Sequence, residues 1–122
     1  MLAMNRETVR RLALALPEAE EKSHFDKPDF RVRNRVFATL PEDGLAVVKL
    51  TPDQQEMLVG GEPAMFQPVN GGWGRQGWTR VLLAAADELT LKSALLTAWR
   101  NVAPAKLRKA LDSAATADGG RT

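Results

Sequence analysis

Apolar positions near the start of the chain recur at helical spacing: Val9, Leu12, Ala13 and Leu16 follow Asn5, a favourable N-cap, and Pro17 stops the pattern. This predicts a helix over about residues 5–16 with one core-facing stripe and a solvated face carrying Arg6 and Arg10. Between Ser23 and Leu50 the period shortens to two. Ser23–Asp26 reads as a short strand broken by Lys27-Pro28, and Asp29–Val32 and Arg35–Leu40 alternate around a tight Arg33-Asn34 turn. Pro41–Gly44 forms another turn, and Leu45–Leu50 a mostly apolar strand. Two successive hairpins predict an antiparallel meander.

Thr51, Pro52 and Gln54 set out a capping box with proline at the first helical position, opening a helix that ends near Gly60-Gly61. Residues 61–77 read as a glycine-rich loop, and Trp78–Leu83 as the last strand. Asp87 caps a helix whose inner face is Leu91, Ala94, Leu95, Ala98 and Val102. Pro104 ends it, and a short amphipathic helix through Leu107 and Leu111 follows. The expected domain spans 1–112, and the alanine-, glycine- and threonine-rich stretch 113–122 is expected to be a disordered tail. Helices flanking antiparallel strands give an α+β, two-layer class, with Phe30, Val32, Val48, Leu91 and Leu95 as core.

Composition narrows the chemistry. Of 122 residues, 44% are hydrophobic and 26% charged, a globular profile for one domain. With no cysteine and one histidine, disulfides, thiolate metal sites, cysteine nucleophiles and multi-histidine metal centres within one chain are excluded. Net charge is only +2, but it is partly segregated: Lys22, Lys27, Arg31, Arg33 and Arg35 are opposed locally by Asp26 and Asp29, with Glu18, Glu20 and Glu21 just upstream. The Leu12–Leu16 apolar run is too short for a secretory signal, and no run is long enough to span a membrane. A soluble, cytoplasmic protein is expected, and a monomer, since no spare apolar helix face is evident.

The stretch Ser-His-Phe-Asp-Lys-Pro-Asp-Phe-Arg-Val at 23–32, followed by Val-Phe-Ala-Thr-Leu at 36–40, resembles the MmcQ/YjbR family of small bacterial proteins. Leu-Pro-Glu after the first helix, Val-Lys-Leu before the capped helix, Gly-Trp-Thr-Arg-Val and Ala-Trp-Arg agree in order, so the similarity covers about residues 5–112. The resemblance implies a CyaY-like sheet with helices packed on one side. It also implies DNA binding through two loop wings, with no cofactor and no catalytic chemistry, and double-stranded DNA is the partner expected.

Two segments suit such wings. Arg33 and Arg35 at a hairpin tip offer guanidinium groups to phosphates, with Asn34 as a base reader. In the loop before the last strand, Arg75 and Arg80 supply further phosphate ligands, Gln76 a second base reader, and Trp73 a stacking or wedging ring. An alternative is a small-anion or protein-binding module on the open sheet face, with His24, Phe25, Lys49, Trp73 and Trp78 lining a cleft and Lys49 fixing the anion. Arginine at a hairpin tip also keeps a turn soluble, Trp78 also suits a core position, and Lys49 also suits a snorkelling side chain.

Catalysis is not expected. Ser23 and His24 would point to opposite faces of a strand, so they form no nucleophile–base pair, while His24 and Asp26 would share a face and more readily form a structural hydrogen bond. The glycine stretch at 69–77 lacks a Walker-type lysine ending and precedes a strand, not a helix. One histidine with Asp26 and Asp29 has no clear third metal ligand.

Overall fold

The computed structural model describes residues 4–24 and 26–119. Helix α1 (Arg6–Leu14) leads into strands β1 (Ala19–His24), β2 (Lys27–Val32), β3 (Arg35–Glu42) and β4 (Leu45–Lys49). Helix α2 (Pro52–Gly61), strand β5 (Phe66–Pro68), one-turn helix α3 (Gly72–Arg75) and strand β6 (Trp78–Leu82) follow, then helices α4 (Glu88–Val102) and α5 (Ala105–Gly119). The strands form one antiparallel sheet in the order β1-β2-β3-β4-β6-β5. The architecture is α+β, as the alternation and the capped helices predict.

The caps form as their side chains dictate. Asn5 accepts from the Thr8 amide at 3.0 Å, Asp87 from the Thr90 amide at 2.8 Å, and Thr51 and Gln54 complete a reciprocal capping box. In the β2–β3 turn, Arg33 and Asn34 both take positive φ (51° and 66°), the conformation a two-residue hairpin needs to match strand twist.

Helices α1 and α4 lie over one face of the sheet. Phe30, Val32, Ala38, Leu40, Val48, Phe66 and Val81 meet Val9, Ala13, Leu91, Leu95 and Trp99, all fully buried. Both Phe37 and Ala38 are buried because the β2–β3 register shifts between Phe30 and Arg31, placing Phe37 at a bulge. Along β4 and β6 burial alternates, leaving Val47, Lys49, Trp78, Arg80 and Leu82 half-buried on the face away from the helices.

Four features depart from the pattern expected of the sequence. Strand β1 starts at Ala19, running through charged residues as a sheet edge does, and pairs fully with β2. Asp26 therefore sits not in a strand beside His24 but in the connection to β2, at φ +61°. Within the expected 61–77 loop lie β5, which supplies buried Phe66, and α3. The backbone remains helical to Gly119, past the expected end at 112, because Ser-Ala-Ala-Thr-Ala is rich in the strongest helix former. Residues 120–122 of the expected tail, and Phe25, lie outside the described residues.

Candidate functional site

Strand register brings the two arginine-bearing segments to one end of the sheet. Ala38 pairs with Val48, so the start of β3, with the Arg33-Asn34 turn before it, lies at the end where β4 finishes. Lys49 pairs with Trp78, so β6 begins at that same end, with α3 immediately before it. His24 lies elsewhere. It is opposite Lys27 at the far end of the edge strand, so the backbone removes it from any cleft around Trp78.

Each expected phosphate ligand has a distinct environment. Arg33 is held by Glu18, Nε donating to Oε1 at 2.7 Å and Nη2 to Oε2 at 3.1 Å. This bidentate pair holds the Glu18 carboxyl below its usual range and raises the Arg33 guanidinium. Arg35 and Arg75 are exposed, and among the described residues neither side chain has an ion-pair partner. Arg80 lies on the open face opposite Val47 and Gln67, 3.4 Å from the Gln67 side-chain oxygen. The Asn34 oxygen accepts from Arg31 at 3.1 Å, leaving its NH2 as a donor, and the Gln76 side chain is exposed.

Behind the turn, Arg33, Arg35 and Arg108 line a hollow of about 360 Å³ with Pro104 and Ala105. Arg108, not anticipated above, donates to the Ala103 carbonyl at 2.9 Å. Its signal in the sequence is the cluster Lys106, Arg108 and Lys109 just after Pro104.

The segment carrying Trp73 is rigidly built. Gln55 Nε2 lies 3.0–3.1 Å from the Gly74 and Trp78 carbonyls and the Thr79 hydroxyl. A Cβ at Gly74 would collide with the Val69 carbonyl, so only glycine allows this close approach. Trp73 and Trp78 meet edge to face, centroids 6.0 Å apart and planes at 70°. Lys49 Nζ lies 5.2 Å from the Trp78 centroid and donates to the Gln76 carbonyl at 2.9 Å, which fixes the ammonium at the edge of the face. Val36, Thr39, Val47, Val69, Trp73 and Trp78 line an open apolar trough of about 360 Å³. Of the expected cleft, Trp73 and Trp78 converge with Lys49 beside them, His24 is not part of it, and Phe25 lies outside the described residues.

A family model described as YjbR matches residues 14–101. The chain belongs to the YjbR family. The fold agrees with the crystal structure of Deinococcus radiodurans protein DR2400, a DUF419 domain, at 21% identity and TM-score 0.66, covering 85% of each chain. No curated protein sequence matches. The motifs that carry the resemblance place Phe30, Val32 and Trp99 in the core of this chain, and Lys49, Trp78 and Arg80 on the open face. Among the described residues no helix is long and apolar enough to cross a membrane, and no group of three or more His, Asp or Glu could hold a metal.

Proposed function

We propose that this member of the YjbR family is a binding module, not an enzyme, and that it binds DNA through two wings: the 33–35 turn and the 73–80 segment. The observation that carries this reading is the strand register, which brings both segments to one end of the sheet with Arg35 and Arg75 exposed. Among the described residues no carboxylate pairs with their guanidinium groups, so none must be displaced before they meet phosphate, and Arg108 and Lys49 add positive charge at the same end. Net charge contributes little, because +2 is small and Arg33 is already neutralised by Glu18.

The test is a fluorescence-anisotropy titration of a labelled random-sequence duplex between about 50 and 200 mM salt. Binding should weaken with salt, and Arg35→Ala/Arg75→Ala should lower the slope of log K against log salt by roughly 2. Absence of binding at low salt would end the reading.

Glu18→Gln should act in the opposite direction. Removing the carboxylate frees Arg33, so affinity should rise and the salt slope steepen by roughly 1. The pH dependence follows from the same pair. Because the folded-state pKa of Glu18 is depressed, the pair persists at neutral pH and is lost as pH falls through that lowered value. Unchanged duplex binding by Glu18→Gln would place Arg33 outside the interface.

A further inference from the structure

We propose that the apolar trough on the open face takes unpaired bases of the bound strand, with Trp73 as the stacking platform, so that the preferred nucleic acid is single-stranded or locally opened. The inference rests on the reading above for its phosphate contacts and adds the class of polymer.

The trough's chemistry asks for a flat, apolar occupant carried on an anionic chain. Its lining is apolar apart from Thr39 and includes no carboxylate. Trp73 is 63% exposed on a segment pinned by Gln55, so a large ring is held in water in a fixed orientation, at little ordering cost on binding. Lys49 already covers Trp78, which leaves Trp73 as the ring available to stack. Lys49 and Arg80 stand on the same face, and Arg35 and Arg75 at the adjoining sheet end, so cations that would follow a backbone lie along the β4–β6 side and at one end of the apolar floor. A volume of about 360 Å³ lies within the range of small-ligand sites.

Duplex DNA cannot use this surface well. Its bases present only their edges in the grooves, whereas a ring on a sheet face needs a base's π-face. Aromatic platforms beside basic grooves are how proteins hold single strands without sequence preference. An apolar peptide would fit the floor, but Arg35 and Arg75, exposed and without an ion-pair partner among the described residues, complement phosphate better.

The experiment uses the full chain and three labelled polymers of equal length at one salt concentration: oligothymidine, an abasic strand and a duplex. Oligothymidine should bind tightest and quench tryptophan emission. Trp73→Ala should weaken oligothymidine roughly 5- to 100-fold, leave the abasic strand unchanged, and be largely rescued by Trp73→Phe. The exposed position of Trp73 lets both variants fold, and an unchanged circular dichroism spectrum checks that. Equal affinity for intact and abasic strands, or no effect of Trp73→Ala, would overturn the stacking site, while salt-dependent duplex binding lost in Arg35→Ala/Arg75→Ala would leave the wing reading standing. Failure of all three polymers to bind at low salt would overturn both.

Discussion

Gly77→Ala is expected to destabilise the protein by roughly 3–5 kcal/mol, measured by urea unfolding, although it adds a single methyl group. Gly77 has φ +107°, a region where side-chain-bearing residues are strained. Space is also lacking: a Cβ there would overlap the Leu50 carbonyl oxygen and lie 2.8 Å from its carbon. The neighbour is backbone and cannot swing aside. Leu50 donates its own N–H to the Gly77 carbonyl at 3.1 Å, and the Thr79 hydroxyl donates to the same oxygen at 2.9 Å, so separating the chains breaks bonds that no water replaces easily. Gly60→Ala is the matched control. It lies in α2 with nothing within 4 Å of its would-be Cβ, so the same chemical change should stabilise by about 0.5–1 kcal/mol. If Gly77→Ala unfolds at the wild-type midpoint, the second wing is not anchored to the end of β4 as described. Trp73 hangs on that anchor, so a folded Gly77→Ala protein should also lose any function of the trough.

The reason much of the fold is legible in the sequence is that its local and long-range signals agree. Asn5, Thr51 and Asp87 each precede an apolar stripe by the spacing a cap requires, and each caps a helix. Arg33-Asn34 joins two alternating runs, and asparagine tolerates the left-handed backbone that the turn imposes. Strand β1 is hard to read for the opposite reason. Glu20, Glu21 and Lys22 carry no apolar alternation, because only one side of an edge strand is paired and charge protects the other. Strand β5 is only three residues long and contains Pro68, so no periodicity can reveal it.

The candidate site was legible as residue types and not as geometry. Arginine and tryptophan in two segments suggest phosphate and ring contacts, but only register shows that the segments share a sheet end. Nor does spacing show that Arg33 is already engaged, since its partner Glu18 belongs to the connection before β1. His24 illustrates the converse: its residue type suggests a place in the open-face cleft beside Trp78, and the hairpin places it at the opposite end of the sheet.

Trp99→Ala should cost about 3–5 kcal/mol, a large share of the roughly 5–15 kcal/mol that holds a small domain together. Trp99 is the largest fully buried side chain, one turn after Leu95 on α4, and it completes the buried face while Val102, expected on that face, is only half-buried. Its indole Nε1 donates to the Pro17 carbonyl at 3.0 Å, so the residue both fills the core and satisfies the connection between α1 and β1. Trp99→Phe separates these roles. It retains most of the apolar volume but strands the Pro17 carbonyl, and should cost about 1–3 kcal/mol. Circular dichroism in urea is the suitable readout, since the substitution removes a fluorophore. A loss below about 1 kcal/mol for Trp99→Ala would contradict the packing described, because surface substitutions typically cost no more than that. The connection that Trp99 holds continues directly into Glu18, the clamp on Arg33, and two residues further along α4 Asn101 donates to the Lys49 carbonyl at 2.9 Å. The buried ring thus holds the connection that carries the clamp on the first wing's arginine, which is why a core substitution should also loosen the Glu18–Arg33 pair at the proposed interface.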